Sequence, residues 1–162
     1  MYLGGLEKIK EALAQSTGVL IRYYRPSDVW AVYELASNNL KERYNPTVFT
    51  ELSPYWPNGF LVVEEMGRIV GFLFGIMSSE VESRVLMLAV KKEYRNQGLG
   101  TMLLNRFLQE GANRGVHFVS LEVRASNLSG IRFYQRLGFM MTGRIPNYYA
   151  NGEDGYTLRL HL

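Results

Sequence analysis

Arg95-Asn96-Gln97-Gly98-Leu99-Gly100-Thr101 is the stretch on which the interpretation of this chain depends. It follows an apolar segment typical of a buried strand and precedes an amphipathic helix. Several backbone N–H groups at a helix start have no intrahelical partner, and the helix dipole adds about half a positive charge there. Because glycines let an anion approach the backbone closely, the turn predicts a phosphate site. Lys91, Lys92 and Arg95 add positive charge beside it.

Other phosphate-binding motifs fit this turn less well. The Walker pattern requires a Gly-Lys-Ser/Thr end, which is absent, and the dinucleotide pattern requires a third glycine, which is missing. A lone Gly-x-Gly can also be a tight strand-to-helix turn without a ligand. The basic residues beside the turn, and the sequence that follows it, favour the anion site.

The helix after the turn is strongly amphipathic, and Gly115 ends it. Its apolar stripe consists of Leu99, Leu103, Leu104, Phe107 and Leu108. The side predicted to face solvent consists of Asn105, Arg106, Gln109 and Glu110.

The remaining chain predicts one mixed α/β domain. Strands are predicted at 19–24, 60–65, 69–77, 85–90, 117–123, 139–143 and 156–162. Helices are predicted at 3–15, from Pro26 with Val29, Tyr33, Ala36 and Leu40 as the apolar face, at 47–52 and at 129–137. The apolar strand at 85–90 is expected to be buried on both faces. We expect an N-terminal amphipathic helical extension at 1–17 and a single domain at 18–162, whose sheet carries helices on both faces.

Composition and charge exclude several classes of protein. The chain has 162 residues, 47% of them hydrophobic and 20% charged, as in one soluble globular domain. Without cysteine there is no disulfide scaffold, cysteine nucleophile or cysteine-based metal site. No apolar run is long enough to span a membrane, and charges interrupt the N-terminus where a signal peptide would be apolar, so the cytoplasm is the expected location. The net charge of +3 permits an anionic ligand but does not indicate nucleic acid.

Two motifs, in order along the chain, resemble those of the GNAT acetyltransferases. The first is Arg/Gln-x-x-Gly-x-Gly/Ala, matched by Arg95, Gly98 and Gly100. The second runs from Leu121-Glu122-Val123-Arg124-Ala125-Ser126-Asn127 through Tyr134 to Gly138-Phe139. The resemblance covers 19–162 and is strongest to the enzymes that acetylate protein N-termini, the ribosomal-protein-alanine acetyltransferases among them. It implies the GNAT fold, in which a mixed, mostly antiparallel central sheet has helices on both faces.

The resemblance also implies acetyl-CoA as co-substrate, and no metal. The turn would hold the pyrophosphate of coenzyme A, and Met87-Leu88-Ala89-Val90 would pair with pantetheine through its backbone. Asn127 would bond the pantetheine arm, although it could also be the N-cap of the next helix. The implied cofactor-binding residues are Leu88, Ala89, Val90, Arg95, Asn96, Gln97, Gly98, Leu99, Gly100, Thr101, Asn127 and Tyr134.

An amine must be neutral to attack a thioester. The reference pKa is about 7.7–8.0 for an α-amino group and about 10.4 for lysine, a gap worth roughly 3.4 kcal/mol. A modest base acting through water is therefore enough for a protein N-terminus. The resemblance implies Glu122 as this base, with Glu42 as a carboxylate that could share the role. A backbone N–H of the strand ending at Val90 would stabilise the thioester oxygen.

The resemblance implies that Tyr134 is the general acid that protonates the leaving CoA thiolate. A phenol has a pKa near about 10, so it holds its proton at working pH. The residues alone leave simpler alternatives. Glu122 could be a solvent-facing strand glutamate, and Tyr134 could merely pack in a helical stripe with Ile131 and Leu137.

Two further segments resemble the substrate loops of N-terminal acetyltransferases. Leu40-Lys41-Glu42-Arg43-Tyr44 is similar to their Leu-Pro-Glu-Asn-Tyr loop, with Lys41 in place of proline and Arg43 in place of asparagine. The segment 148–156 is similar to their Tyr-Tyr-Ala-Asp-Gly-Glu-Asp-Ala-Tyr, although alone it could be an ordinary loop. The implied peptide groove is lined by Leu40, Glu42, Tyr44, Tyr148 and Tyr149.

Protein or peptide N-termini are the implied partners, together with an auxiliary subunit or a homodimer and with the ribosome. The N-terminal helix could pack on its own domain or form a dimer contact. No membrane partner and no direct reading of nucleic acid are expected.

Other functions fit parts of the sequence. A GNAT enzyme could acetylate lysine, a polyamine or an aminoglycoside, although Lys41, Arg43 and Arg144 in the substrate loops fit a polyamine poorly. An acyl-CoA-binding module would bind without turnover. A hydrolase is disfavoured because Gly-x-Ser-x-Gly is absent and there are only two histidines. A metal enzyme is disfavoured because no His/Asp/Glu cluster has ligand spacing.

Overall fold

The structure is a computed structural model that describes residues 5–9 and 18–162. Residues 5–9 are helical, and Leu6 and Ile9 are exposed. The rest of the helix predicted at 3–15 lies outside the described residues. The extension at 1–17 and its boundary with the domain therefore stay predictions.

The described chain contains seven strands and, after residue 18, four α-helices. The strands are β1 (Val19–Tyr23), β2 (Phe60–Glu65), β3 (Arg68–Met77), β4 (Glu82–Val90), β5 (Phe118–Arg124), β6 (Met140–Ile145) and β7 (Gly155–His161). The α-helices are α1 (Val29–Asn39), α2 (Thr47–Leu52), α3 (Leu99–Arg114) and α4 (Leu128–Arg136). Short 3₁₀ turns cover Pro26–Asp28, Ser53–Tyr55, Pro57–Gly59 and Lys92–Tyr94. Every strand and helix predicted within 18–162 is present, with ends displaced by up to three residues.

The strands form one sheet in the order β1-β2-β3-β4-β5-β7-β6. Neighbouring strands are antiparallel except for β4 and β5, which are parallel. A tight turn at Met66 and Gly67, both with positive φ, joins β2 to β3 as predicted. The mixed, mostly antiparallel sheet of the predicted GNAT fold is confirmed.

Helices cover both faces of the sheet, and each face has its own buried cluster. On one face α3 and α4 contribute Leu103, Phe107 and Ile131. On the other face Val32 of α1 and Phe49 of α2 pack on the sheet. The apolar stripe predicted for α3 therefore faces the core.

Glu110 of α3 was predicted to face solvent, and this prediction is wrong. The side chain is 8% exposed. Its carboxylate accepts hydrogen bonds from the Tyr23 hydroxyl at 2.6 Å, the Arg106 guanidinium at 2.9 Å and the Asn58 amide at 3.0 Å. A carboxylate with three donors can be buried where an unpaired one would be costly, and Glu110 thereby joins α3 to β1.

The strands β4 and β5 pair over only part of their length. Their parallel register begins at Glu82 opposite Phe118 and ends at Val85 opposite Leu121. Beyond that point no strand within residues 18–162 pairs with the edge of β4 that faces β5. The expectation that 85–90 is buried on both faces is therefore wrong, because Leu86, Leu88 and Val90 are only half-buried.

A bulge in β4 marks the same place. Phe74 of β3 lies opposite Met87, and Gly75 lies opposite Val85, so Leu86 is an extra residue. Val85 and Met87 consequently belong to the buried clusters of opposite faces, although they are two residues apart. The bulge thus changes the direction of the β4 side chains where the two strands part.

Candidate active site

The turn before α3 has the conformation that an anion site needs. Asn96 and Gly98 have positive φ values of 60° and 81°, and Gly98 is the N-cap of α3. The first intrahelical bond runs from Met102 N to Gly98 O at 3.0 Å. The N–H groups of Leu99, Gly100 and Thr101 therefore have no acceptor within the helix and can bind an anion.

A cavity of about 760 Å³ lies beside this turn, and we call it the turn cavity. Its volume is within the range of small-molecule sites, about 300–1,000 Å³. The predicted cofactor residues that line it are Leu88, Ala89, Val90, Arg95, Asn96, Gly98, Leu99, Gly100, Thr101, Asn127 and Tyr134. Gln97 does not line it: this residue is exposed, and its amide lies 3.5 Å from the Glu93 carbonyl.

The guanidinium of Arg95 is held by two protein acceptors at the rim of the turn cavity. Its Nε donates to the Val90 carbonyl at 3.0 Å, and its Nη2 donates to the Asn39 side-chain oxygen at 2.6 Å. Arg95 thus joins the end of α1 to the end of β4. The positive charge predicted near the turn is present, but Arg95 also has this bridging contact.

Asn127 is the N-cap of α4, as the simpler interpretation of the sequence suggested. Its Oδ1 accepts from the Gly130 N–H at 3.0 Å. The residue also lines the turn cavity. Because capping uses the side-chain oxygen, the amide nitrogen is left as a donor for a bound ligand.

A second cavity, of about 740 Å³, lies under the loops that follow α1 and β6, and we call it the loop cavity. Every predicted substrate residue lines it, together with both candidate bases: Leu40, Glu42, Tyr44, Tyr148, Tyr149 and Glu122. The structure thereby brings together segments that are more than 100 positions apart in sequence.

The two cavities share part of their walls. The residues common to both are Asn39, Leu40, Leu88, Asn127 and Tyr134. They lie beside the gap where β4 and β5 part, because Leu88 is on the unpaired portion of β4. A group bound along the turn cavity would therefore meet a group bound in the loop cavity next to Tyr134.

Tyr134 has surroundings that keep its phenol protonated. Its ring packs edge-on against Phe133 and Phe139, with centroids 5.1 and 5.6 Å away. Burial, and secondly the nearby Tyr149, raise the pKa of the Tyr134 hydroxyl above its usual range. The helical packing proposed as the simpler alternative is present, and the residue lines both cavities as well.

Glu122 is not a solvent-facing strand glutamate. Its side chain is 17% exposed, and its Oε2 accepts from Arg84 Nε at 2.9 Å and Nη2 at 2.6 Å. Arg84 Nη2 also donates to the Tyr148 hydroxyl at 3.1 Å. The first candidate base is therefore an ion-paired carboxylate in the wall of the loop cavity.

Glu42 is ion-paired as well, with Arg124. The Arg124 side chain is only 12% exposed, and it also donates to Glu153 at 2.9 Å and to the Asn151 side chain at 3.2 Å. Its guanidinium carbon lies 4.1 Å from the centroid of the Tyr149 ring, a cation–π contact. One arginine thus joins the loop after α1 to the loop between β6 and β7.

The contacts of the loop between β6 and β7 also determine the ionisation of its side chains. Hydrogen bonds from the side chain and backbone N–H of Ser126, and then from Arg124, lower the pKa of Glu153 to about 2. Burial, and secondly Tyr148, raise the pKa of Tyr149 to about 12. Burial also raises the pKa of Tyr44. At neutral pH Glu153 is therefore ionised, and the phenols of Tyr44 and Tyr149 are neutral.

Arg84 and Arg124 both line the loop cavity, but neither was predicted from the sequence to be a site residue. Arg124 follows Glu122 by two positions, so the two side chains share one face of β5. Arg84 is a charged residue at the edge of an apolar strand segment. These are the only signals in the sequence, and neither one indicates which carboxylate each arginine contacts.

Residues 5–9 and 18–162 contain no group of three or more His, Asp or Glu side chains placed to hold a metal ion. Within the same ranges no helix has the length and apolarity needed to cross a membrane.

Comparisons with known proteins identify the family of this chain. The model of the acetyltransferase (GNAT) family matches residues 29–139. An uncharacterised N-acetyltransferase of Methanocaldococcus jannaschii is 36% identical over 137 residues, which are 84% of this chain and 87% of that protein. The catalytic subunit of the Arabidopsis thaliana N-terminal acetyltransferase B complex is 32% identical over 148 residues, covering 88% of this chain and 84% of that subunit.

A solved structure is similar over nearly its whole length. Ard1 from Thermoplasma volcanium superposes with a TM-score of 0.87 at 35% identity, covering 90% of this chain and 98% of that one. The family match extends over more than half of the chain and includes the turn, Glu122 and Tyr134. This chain therefore belongs to the acetyltransferase (GNAT) family.

Proposed function

We propose that this protein transfers the acetyl group of acetyl-CoA to the α-amino group of protein N-termini. The observation that carries the proposal is the junction of the two cavities at Tyr134. A cofactor in the turn cavity and a peptide in the loop cavity would bring thioester and amine together there. The similarity to a catalytic subunit of an N-terminal acetyltransferase complex supports the choice of amine.

The turn would bind acetyl-CoA through its phosphates. The N–H groups of Leu99, Gly100 and Thr101 would receive the pyrophosphate, since they lack helical acceptors. The unpaired edge of β4 from Met87 onward leaves backbone groups for the pantetheine arm. One backbone N–H of this edge would stabilise the oxygen of the thioester as it gains negative charge.

In the chemical step the amine nitrogen attacks the thioester carbon, the N–C bond forms and the C–S bond breaks. The amine loses a proton to Glu122, directly or through a water molecule. The leaving thiolate takes a proton from Tyr134, whose raised pKa keeps that proton available at neutral pH. Solvent then restores both groups.

Both candidate bases are carboxylates held by an arginine, Glu122 by Arg84 and Glu42 by Arg124. A carboxylate is a modest base, which suits an amine that is partly neutral already. A protein N-terminus, with a reference pKa of about 7.7–8.0, meets this condition, and lysine at about 10.4 does not.

Glu122 is the better candidate for the main base, and Glu42 the better candidate for a groove residue. Both arginine contacts of Glu122 fall on one oxygen, Oε2. The Glu42 carboxylate lies where Arg124 joins two loops. Leu40, Tyr44, Tyr148 and Tyr149 would complete the peptide groove.

The test uses purified protein, acetyl-CoA and pairs of peptides that differ only in a free or a blocked α-amine, each containing an internal lysine. CoA release is measured, and the acetylated position is mapped by mass spectrometry. We expect release with the free peptides only. Release that persists with blocked peptides would mean that the acetylated group is the lysine side chain and not the α-amine. Acetyl-CoA binding without release to any amine would identify an acyl-CoA-binding module.

The same CoA-release assay can test whether the protein needs a second subunit. The Arabidopsis thaliana relative is, by its name, the catalytic subunit of a complex. We propose that this chain is active on peptides alone and that any auxiliary subunit acts on substrate choice or location. Native purification from cells that produce this protein, followed by assay of the isolated chain, compares the two forms, and contact with ribosomes would be seen by co-sedimentation.

A further inference from the structure

We propose that Arg84 is a positioning residue that binds both Glu122 and the loop between β6 and β7, which carries Tyr148 and which we call the Tyr148 loop. One side chain would then hold both the base and the wall of the peptide groove in place. The inference rests on the proposed function, in which Glu122 receives the proton of the amine. It assigns a role to an arginine that contacts neither reactant in the proposed mechanism.

The first observation that supports this role is the position of Arg84 in the sheet. Arg84 lies opposite Ser120 in the short parallel register of β4 and β5, one pair before the register ends. Its guanidinium reaches Glu122, which is the first β5 residue beyond the last pair. The contact thus joins the two strands where their backbones cease to be paired.

The second observation is the geometry of the contact between Arg84 and Glu122. Arg84 donates to Glu122 through Nε and Nη2, and both bonds end on Oε2. Two charge-assisted bonds from one guanidinium therefore hold this side chain, and both use the same oxygen. The other oxygen, Oε1, accepts neither of these bonds, and Glu122 lines the loop cavity.

Partial burial makes this contact stronger than a surface ion pair. The side chains of Arg84 and Glu122 are 33% and 17% exposed. Burial alone would lower the pKa of Arg84, but Glu122 and secondly Tyr148 outweigh it and raise the pKa above the usual arginine value. The guanidinium therefore stays charged under all assay conditions.

The third observation is the set of contacts made by Tyr148. Arg84 Nη2 donates to its hydroxyl at 3.1 Å, and the Tyr148 ring packs edge-on against Tyr149 at 5.0 Å. Beneath the ring lies Gly155, where an added Cβ would be 3.1 Å from a ring carbon. The loop between β6 and β7 is thus located relative to Glu122 through Arg84.

A double-mutant cycle tests this role. Arg84→Gln removes the cation and keeps a polar side chain of similar length. We expect it to lower kcat by about 10- to 100-fold in the Glu122 background, as expected for a misplaced catalytic group. In the Glu122→Gln background it should change kcat by no more than about twofold, because Arg84 would act through a base that is no longer present. Arg84→Lys should recover part of the loss, and the KM for acetyl-CoA should stay unchanged in all variants.

The matched control is Arg159→Gln. Arg159 of β7 pairs with Glu82, which is also on β4, with an N–O distance of 3.2 Å, and neither residue lines the turn cavity or the loop cavity. This variant should leave kcat unchanged. An equal loss of kcat for Arg84→Gln in both backgrounds, or no loss in either, would overturn the proposal.

A second measurement is independent of turnover. Hydrogen exchange of residues 146–154 should become faster in Arg84→Gln and stay unchanged in Arg159→Gln. Unchanged exchange in both would show that Arg84 does not hold the Tyr148 loop. If the wild type acetylates no α-amine, the proposed function fails, whereas the exchange result still decides whether Arg84 fixes the loop.

Discussion

Arg124, the last residue of β5, forms an ion pair with Glu42 in the loop after α1. The same guanidinium bonds Glu153 at 2.9 Å and stacks on the Tyr149 ring at 4.1 Å. Three chain segments that would surround a peptide N-terminus are therefore held by one nearly buried cation. Its removal should affect the peptide side of the site and leave the cofactor side intact.

Arg124→Gln should reduce kcat/KM for a peptide about 10- to 100-fold, because two carboxylates lose their common partner and the groove loosens. The KM for acetyl-CoA should change little, since Arg124 does not line the turn cavity. Steady-state kinetics with each substrate varied in turn measures both effects. The control is Arg144→Gln, which removes an exposed pair with Asp154 in the same loop. Equal losses in the two variants would contradict a specific role for Arg124.

Tyr134→Phe should lower kcat by about 10²- to 10⁴-fold while acetyl-CoA affinity is retained, because the leaving thiolate loses its proton donor. Calorimetric titration with acetyl-CoA and single-turnover kinetics separate these effects. Tyr156→Phe is the control, since Tyr156 is a half-buried core tyrosine that lines neither cavity. Full activity of Tyr134→Phe would leave the residue with a packing role only.

Gly98→Ala should weaken acetyl-CoA binding in addition to destabilising the fold. Gly98 has a φ of 81°, a conformation that costs an L-residue about 1–2 kcal/mol. Gly67→Ala, at a φ of 78° in the turn between β2 and β3, should lose similar stability without losing affinity. Thermal unfolding and calorimetry on both variants make the comparison. If the two variants bind acetyl-CoA equally well, the turn does not hold the cofactor.

Glu110 should make the fold acid-sensitive. Burial would raise the pKa of its carboxyl, but hydrogen bonds from Tyr23, Arg106 and Asn58 outweigh burial and lower the pKa below 4.5. Because the folded pKa is the lower one, the stabilisation is complete above the unfolded pKa and is lost as pH falls through the folded value.

The measurement compares wild type and Glu110→Gln by denaturant unfolding at several pH values. At pH 7 the variant should be less stable by about 1–3 kcal/mol, as expected for the loss of charged hydrogen bonds in a buried site. This difference should shrink as the pH falls below about 4.5. Glu51→Gln, at an exposed position of α2, should show no such difference. A difference that is independent of pH would mean that packing, and not charge, explains the effect of Glu110.

The sequence by itself determined the local features. Glycines and apolar periodicity predicted the turn at 95–101, the amphipathic α3 and all seven strands, because these signals depend on residues within a few positions. The motifs around Arg95 and Glu122 identified the family. Sequence also selected Tyr134, although with 11 tyrosines in the chain only the motif could distinguish it.

The tertiary structure decided which groups meet. That Leu88 and Val90 are only half-buried follows from the end of the β4–β5 register at Val85, which is a property of strand order and not of the strand sequence. The burial of Glu110 depends on Tyr23, which is 87 positions away. The partners of Glu122 and Glu42 are arginines 38 and 82 positions distant, because long side chains pair according to where the folded backbone places them.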